Sequence, residues 1–236
     1  MGDRLTVGLQ VLDLTIGVRI PVPQQNFMDY ITTNKNVYDY LAQEYEERTK
    51  DYFDSTSKAV SFLTPHIKTG KEVLDVGCGV GLGTEILSEC GFNVTAIDIS
   101  SKMVKFSRKR NSNSKVIEGD FSAYHFNKKF DAIFSMAFIH LFPKKDAEKL
   151  LQKMFRLLKK GGVLYFGTTL SKESKEGWEI KRDVFFPKSE QKRYRKHWTE
   201  EELLDSLNRS GFTYIDKYYI SDPRGKVWMD FLVEKP

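Results

Sequence analysis

The stretch Val73-Leu74-Asp75-Val76-Gly77-Cys78-Gly79-Val80-Gly81 decides the fold that we expect for this chain of 236 residues. Its first half is a short apolar run, and its second half is a glycine-rich turn that lets the backbone approach a ligand closely. The turn does not fit the dinucleotide fingerprint G-x-G-x-x-G/A, because the sixth position is Leu82 or Thr84 in the two registers. A phosphate-binding P-loop is excluded as well, since no Gly-Lys-Ser/Thr follows.

Strand and helix patterns alternate after this turn. We predict parallel strands over 72–76, 93–98, 115–118, 130–136 and 163–168. The helices between them are predicted over 82–90, 101–110 and 146–159, the last ended by Gly161-Gly162. A capping box from Thr199 to Glu202 opens a further helix, and two β-rich runs follow at 213–220 and 226–234. The expected fold class is therefore α/β: a doubly wound seven-stranded sheet of five parallel strands plus a C-terminal antiparallel hairpin.

The chain divides into three predicted parts. Residues 1–28 form an N-terminal arm of unassigned role, with Met28 as an alternative start. Residues 29–70 are predicted to form an N-terminal helical cap, because apolar side chains recur there at helical spacing. Residues 71–236 form the α/β domain, with an insertion at 171–198 that shows no clear period.

Composition and charge limit the class of protein. Hydrophobic residues make up 40% and charged residues 29%, a balance typical of soluble globular proteins. No apolar run approaches the roughly 20 residues that span a bilayer, and the N-terminus lacks the order of a signal peptide. We therefore expect a cytoplasmic protein, a monomer or homodimer, without a membrane partner. Cys78 and Cys90 belong to no metal-binding cluster, so no metal site is expected.

Acidic residues stand where two of the strands end. Asp98 closes the second predicted strand, where a carboxylate can accept hydrogen bonds from both hydroxyls of a ribose. The alternative role for Asp98, a helix cap, is one that Ser100 and Ser101 already fill. Asp120 follows the third strand and is suited to accept a hydrogen bond from an adenine amino group, with Ile99 and Phe121 enclosing the ring.

Taken together, these residues resemble the class I S-adenosylmethionine-dependent methyltransferases over roughly residues 36–236. Asp75, Gly77, Gly79 and Gly81 match the first motif of that family, Asp98 the second and Asp120 the adenine-side acidic position. The resemblance implies a Rossmann-like domain that binds S-adenosyl-L-methionine and releases S-adenosyl-L-homocysteine. It implies that Asp75 stabilises the cofactor's ammonium group, and that Tyr45, Met103 and Met136 also lie beside the cofactor.

The expected reaction is methyl transfer to an O or N atom of a small molecule. No Asp/Asn-Pro-Pro-Tyr/Phe run follows the fourth strand and no Pro-Cys pair occurs, so nucleic acid bases are disfavoured as acceptors. The segment 135–142 resembles that of small-molecule methyltransferases, and it places His140 toward the methyl group as a candidate catalytic residue. With an unperturbed pKa of about 6.5, His140 would accept a proton near neutral pH. The alternative is a packing role beside the cofactor.

The acceptor site is expected between the helical cap and the insertion. Its candidate residues are Tyr38 of the cap and Trp178, Tyr194, Arg195 and His197 of the insertion. From 171 to 200 the chain carries nine Lys/Arg against six Asp/Glu, so the segment is either a solvated loop or an attractor for an anionic acceptor. Two other hypotheses remain open: an RNA- or protein-directed methyltransferase, and a non-catalytic cofactor-binding partner subunit.

Overall fold

Nine strands and six helices can be traced in a computed structural model, which describes residues 29–181, 189–221 and 227–236. The strands are β1 (Glu72–Val76), β2 (Asn93–Asp98), β3 (Lys115–Glu118), β4 (Phe130–Met136), β5 (Leu158–Thr169), β6 (Lys175–Ile180), β7 (Lys192–His197), β8 (Thr213–Ser221) and β9 (Val227–Glu234). The helices are α1 (Tyr30–Glu47), α2 (Thr49–Leu63), α3 (Leu82–Glu89), α4 (Ser101–Arg110), α5 (Lys144–Leu157) and α6 (Glu200–Arg209). The arm expected at 1–28 lies outside the described residues.

A seven-stranded sheet has the order β3-β2-β1-β4-β5-β9-β8. Strands β1 to β5 run parallel to one another, while β9 is antiparallel to both β5 and β8. The predicted fold class is confirmed. The strand order reverses at β1, which lies between β2 and β4. In doubly wound sheets a ligand binds in the crevice outside the carboxyl ends of the strands at such a reversal.

Helices cover both faces of the sheet because β1 is buried on both sides. Val73 packs in a cluster with Val60 of α2 and Leu87 of α3, whereas Leu74 packs in a cluster with Leu151 of α5 and Leu203 of α6. Each of these six side chains is at most 1% exposed. Burying an aliphatic side chain in this way stabilises the fold by about 1.5–3 kcal/mol. None of the described helices is long and apolar enough to cross a membrane.

Three helices begin at side chains that cap backbone N–H groups. Asp29 accepts from the backbone at the start of α1, and Ser100 does so for α4. Thr199 Oγ1 accepts from the Glu202 amide, 3.3 Å away, at the start of α6. The second half of the predicted capping box is wrong, because the Glu202 carboxylate accepts from Lys196 Nζ at 2.6 Å.

The predicted boundary between the fifth parallel strand and the preceding helix is wrong. Helix α5 ends at Leu157, and β5 begins at Leu158, five residues earlier than expected. Leu158 is fully buried and pairs with Phe130 of β4, which favours the extended conformation. Gly161 has a φ of 70° and lies inside the strand, where the pairing with β4 shifts register. Gly161 and Gly162 thus lie at an irregularity within β5 and do not end α5.

The insertion contains a β-hairpin that the sequence did not indicate. Strands β6 and β7 pair antiparallel, with Trp178 opposite Tyr194, and a bridge between Leu170 and Trp198 connects this hairpin to the end of β5. Charged side chains occur on both of its faces, so the alternation that signals a half-buried strand is absent. The segment 182–188 within it lies outside the described residues.

Gly81 joins the glycine-rich turn to α3 in a left-handed conformation, with a φ of 87°. A Cβ at this position would lie 2.5 Å from Ser107 Oγ and 2.9 Å from Ser107 Cα, both on α4. Asn111 Nδ2 donates to the Gly81 carbonyl at 3.0 Å. Gly91 has a similar φ of 84°, but a Cβ there would meet only Lys71 Nζ, at 4.0 Å. Gly81 is therefore required both for conformation and for the close approach of α4.

We expect Gly81→Ala to destabilise the fold more than Gly91→Ala. Both changes add the strain of a left-handed alanine, about 1–2 kcal/mol, but only the first adds overpacking against α4, about 1–3 kcal/mol. Urea denaturation of the two variants and the wild type measures the difference. Equal losses of stability would show that α4 moves away without cost and would contradict this explanation.

Candidate functional site

A cavity of about 190 Å³ lies at the carboxyl ends of the central strands. Its walls come from the turns that follow β1, β2, β3 and β4, and from one face of α1. Many of the predicted site residues line it: Tyr38, Tyr45, Gly77, Gly79, Asp98, Ile99, Met103, Asp120, Phe121 and Met136. The remaining predicted residues do not line it: Asp75, Gly81, His140, Trp178, Tyr194, Arg195 and His197.

The glycine-rich turn brings backbone to the cavity wall. The amides of Gly77 and Cys78 both donate to the Ile97 carbonyl, at 2.9 and 3.2 Å, which fixes the turn beside β2. A Cβ on Gly77 would lie 2.6 Å from the ring of Phe138, so no larger residue fits there. A Cβ on Gly79 would meet nothing within 4 Å, because that side of the turn faces open space.

Asp98 connects the end of β2 with the glycine-rich turn. Its Oδ2 accepts from the Gly79 amide at 2.9 Å, and its Oδ1 accepts from the Ser100 amide at 2.8 Å. Burial raises the pKa of Asp98, while these two backbone hydrogen bonds oppose the rise. Each carboxylate oxygen keeps a further lone pair for a ligand in the cavity. The cap of α4 is Ser100, whose Oγ accepts from the Met103 amide at 3.2 Å.

Asp75 supports the glycine-rich turn from below and does not reach the cavity. It is 2% exposed, and its Oδ2 accepts from Thr84 Oγ1 of α3 at 2.7 Å. Burial raises its pKa to about 7, the Thr84 hydrogen bond lowers it, and the charge of Asp98 raises it further. Asp75 therefore contacts the hydroxyl of Thr84 on α3. The expected contact between Asp75 and the ammonium group of the cofactor stays a prediction, and Asp75 is not among the residues that line the cavity.

The turn after β3 closes the other end of the cavity. Asp120 accepts from the amide and the hydroxyl of Ser122, each at 2.7 Å. Phe121 is 3% exposed and meets the ring of Phe138 edge to face, with centroids 6.0 Å apart. An aromatic wall with a neighbouring carboxylate is thus available for a flat, hydrogen-bonding ligand group.

Helix α1 lines the cavity because polar side chains attach it to the rest of the domain. Asn34 Oδ1 accepts from the Tyr194 amide at 2.8 Å, and its Nδ2 donates to the Leu141 carbonyl at 3.0 Å. Asp39 Oδ1 accepts from Ser100 Oγ at 2.6 Å. Sequence reasoning missed Asn34 and Asp39. The available signal for Asn34 was its position three and seven residues before Val37 and Leu41, on the predicted apolar face of the cap, whereas the spacing gave no such signal for Asp39.

His140 is buried beneath the β6–β7 hairpin. It is 2% exposed, and its Nδ1 lies 3.0 Å from Thr168 Oγ1 of β5. Burial lowers the pKa of His140 well below its ordinary value, and the charges of Arg195 and Arg193 lower it further. The ring is therefore neutral at neutral pH. Its neighbours Phe138 and Leu141 line the cavity, while His140 itself does not.

The inner face of the β6–β7 hairpin carries a cluster of charges around Glu179. Arg193 Nη2 donates to Glu179 Oε1 at 3.0 Å, and Arg193 Nη1 donates to the hydroxyl of Tyr38 at 3.0 Å. His197 Nε2 lies 2.9 Å from Glu179 Oε2. Arg195 Nη2 donates to Thr169 Oγ1 at 2.6 Å, but the buried Nε of Arg195 has no hydrogen-bond partner. Sequence reasoning did not select Arg193, which connects this cluster to the cavity through Tyr38.

The aromatic candidates of the insertion occupy the opposite face of the hairpin. Trp178 and Tyr194 meet edge to face, with ring centroids 5.7 Å apart. Tyr194 in turn packs against Tyr30 of α1 at 5.5 Å. Trp178 and Tyr194 thus hold the hairpin against α1, and neither of them lines the cavity.

Comparison with known proteins assigns the family. Residues 74–166 match the family model described as a methyltransferase domain. An uncharacterized methyltransferase from Anoxybacillus flavithermus is 26% identical over 80% of this chain and 91% of its own length. A ubiquinone biosynthesis O-methyltransferase from Actinobacillus pleuropneumoniae is 38% identical, but over only 42% of this chain and 46% of its own length.

Solved structures share the fold. The 1,6-didemethyltoxoflavin-N1-methyltransferase of Burkholderia thailandensis, solved with its substrate and S-adenosylhomocysteine, superposes with a TM-score of 0.71 at 19% identity, over 87% of this chain and 88% of its own. Other solved structures with this fold hold S-adenosylmethionine or sinefungin. Sheet order, glycine-rich turn and family match agree, and the chain belongs to the class I S-adenosylmethionine-dependent methyltransferases, enzymes whose cofactor is S-adenosylmethionine.

Proposed function

We propose that this enzyme transfers the methyl group of S-adenosylmethionine to an O or N atom of a small molecule that carries an anionic group. The observation that supports a small acceptor is the cavity of about 190 Å³ at the carboxyl ends of the central strands. Helix α1, attached at Asn34 and Asp39, lines the same cavity as the glycine-rich turn. The relatives include an O-methyltransferase and an N-methyltransferase, so the attacking atom is left as either.

The cavity residues fit the cofactor. Gly79 leaves open space for the cofactor beside the backbone of the turn, and Asp98 offers free lone pairs to the two ribose hydroxyls. Phe121 and Ile99 would enclose the adenine ring, with Asp120 beside its amino group. With the adenine at the turn after β3 and the ribose at the end of β2, the methionine end of the cofactor would extend toward β1 and β4, which follow in the sheet.

Alignment is the main contribution that the protein makes to the reaction. The cofactor supplies a methyl group already activated on its sulfonium, so holding the acceptor in line with that bond provides much of the rate. Ala137 follows β4 with a φ of 55°, a strained conformation, and its amide donates to the Gly167 carbonyl at 2.9 Å. Strained residues of this kind are common at active sites. The rigid end of β4 would orient the acceptor, and α1 would exclude water.

The charged cluster of the hairpin supports an anionic acceptor. Arg193 and Arg195 are 4% and 8% exposed, and Glu179 is the carboxylate that they share. The lowered pKa of Arg195 has burial as its first cause and the charge of Arg193 as its second. Neither arginine lines the cavity, but Arg193 donates to Tyr38, which does, and a ligand carboxylate or phosphate beside Tyr38 would relieve this repulsion. Because both arginines are buried, they do not form the exposed basic face that an RNA-directed enzyme would need.

We expect Asp98→Ala to weaken cofactor binding by roughly 2–3 kcal/mol, because two ribose hydroxyls lose a charged partner. Calorimetry with S-adenosylhomocysteine measures this affinity. Asp98→Asn keeps an oxygen for the Gly79 amide and should give an intermediate loss, whereas Glu118→Ala, at the exposed end of β3, should give none. Unchanged affinity in a folded Asp98→Ala protein would reduce Asp98 to a support of the turn.

An acceptor screen with methyl-labelled S-adenosylmethionine tests the proposed reaction. Matched small amines and phenols with and without a carboxylate or phosphate form the panel. We expect label to transfer preferentially to the anionic members, and Arg195→Gln to lower kcat/KM for them by about 10–100-fold, as for loss of a charge-assisted hydrogen bond. Lys192→Gln, at an exposed position of the same hairpin, is the control. A preference for neutral acceptors in the wild type would refute the anionic assignment.

The role of His140 is tested with an acceptor found in that screen. As a general base it should give a His140→Ala variant with about 10²–10⁴-fold lower turnover and nearly constant cofactor affinity. The base acts only when neutral, and its pKa is lowered, so the wild-type rate should rise with pH through a limb well below 6.5. Loss of that limb in the variant supports the base. A limb that survives, with only a few-fold loss of rate, assigns His140 to packing against Thr168.

A further inference from the structure

A buried carboxylate with no neighbouring positive charge among the described residues lies on β9, behind the wall of the cavity. Asp230 is 0% exposed, and its neighbours are the hydroxyls of Tyr165 and Tyr218, which lower its pKa. The two hydroxyls are also 2.8 Å from each other, so one of their two protons is shared between them and the other is left for the carboxylate. A buried carboxylate in this state is costly unless a positive charge compensates it.

The register of the sheet places Asp230 next to the cavity. Met136 of β4, Gly167 of β5, Asp230 of β9 and Tyr218 of β8 form one row across four strands. A Cβ on Gly167 would lie 2.1 Å from Asp230 Oδ1 and 2.7 Å from Met136 Sδ, so the missing side chain brings these two atoms together. Met136 lines the cavity. The carboxylate is therefore one side chain away from the ligand space.

The two ends of the cavity differ in charge. Asp98 and Asp120 line it at the turns after β2 and β3, where the ribose and adenine are expected. At the end of β4 the lining consists of Met136, Ala137 and Phe138, none of them charged. With the adenine and ribose at the other end, the methionine end of the cofactor and its sulfonium would extend toward this uncharged end. Asp230 stands behind it on β9, whereas Asp75 lies beneath the turn after β1.

We propose that Asp230 is the counter-charge of the cofactor's sulfonium, and that it makes the enzyme bind S-adenosylmethionine in preference to S-adenosylhomocysteine. The sulfonium loses its positive charge when the methyl group leaves, so the attraction acts on the substrate form and not on the product. A charge pair acts through a low-dielectric interior without direct contact. The preference would hold the cofactor before transfer and favour release of the product afterwards.

The buried environment of Asp230 agrees with this role. Burial raises its pKa to about 7, and the two tyrosine hydroxyls lower it. A nearby cation would favour the ionised form. Among the described residues, the polar groups that face Asp230 are Tyr165 and Tyr218, because Met136 of β4 and Phe62 of α2, which packs on both tyrosine rings, carry no charge.

Calorimetry at pH 8, where the carboxylate is ionised, measures the affinities for S-adenosylmethionine, S-adenosylhomocysteine and sinefungin. Asp230→Asn should reduce the preference for S-adenosylmethionine over S-adenosylhomocysteine by roughly tenfold, the size expected for charges about 10 Å apart at an effective dielectric constant of about 20. Sinefungin, which bears an ammonium in place of the sulfonium, should follow S-adenosylmethionine. Asp216→Asn, at an exposed position of β8, is the control of equal charge change. Equal effects on all three ligands, or no effect, would overturn the proposal.

The wild type gives a second test that does not depend on folding of the variant. The preference for S-adenosylmethionine should be present above the pKa of Asp230, about 7, and should fall as the pH drops from 8.5 to 5.5. Tyr165 and Tyr218 stay neutral throughout, since burial raises the pKa of each. Groups that contact parts common to both ligands, such as Asp98, cancel in the ratio. The pKa of Asp75 is also raised to about 7, so the same titration is repeated on Asp230→Asn, in which the pH dependence should disappear. A ratio independent of pH would refute the role of Asp230.

Discussion

The rest of the structure depends on the pairing of β1 with β2 and β4 on its two sides. This pairing reverses the strand order, and it places the turn after β1 at the reversal. Two N–H groups of the turn donate to the single carbonyl of Ile97, which holds the backbone open toward the crevice. Once that turn is fixed, Asp98 at the end of β2 and Met136 at the end of β4 necessarily stand on either side of it. The cofactor site is thus a consequence of strand order more than of any one side chain.

Sequence predicted those parts of the fold in which local pattern and tertiary environment agree. The bounds of β1 to β4 and of α4 are correct, because apolar runs there end at residues with their own turn or capping chemistry, such as Ser100. The start of β5 was not predictable in this way. Leu158 reads as the last turn of an amphipathic helix, and only its pairing with Phe130 makes it extended. The β6–β7 hairpin was missed because charged side chains occur on both of its faces. Its sequence therefore lacks the alternation of apolar and polar residues that signals a half-buried strand.

The residues of the candidate site show the same difference between local sequence pattern and long-range contact. Residues next to the glycine-rich turn, such as Gly79 and Asp98, are found from spacing because the turn itself positions them. Asp75 and Gly81 belong to the same motif, yet they hold α3 and α4 in place instead of lining the cavity. Asn34 and Arg193 act across more than 100 residues of sequence, and no local pattern reports such contacts. Motif spacing therefore describes the part of the cavity beside the glycine-rich turn, whereas the part beside α1 and the hairpin depends on long-range packing.

The buried carboxylates of the described domain indicate why this enzyme should be most stable against unfolding when its cofactor is bound. Burial raises the pKa of Asp75, Asp98 and Asp230, so ionising them at neutral pH works against folding: their unfolded forms ionise near 3.8, and stability is lost as the pH rises from there through the folded values. His140 acts in the opposite direction, since its lowered pKa makes the unfolded state bind more protons as the pH falls below 6.5. The carboxylates lie at or behind the cofactor cavity. A cationic ligand that binds only the folded state both compensates them and stabilises the fold by mass action. Electrostatic strain in the free enzyme is then the same property that gives the site its affinity.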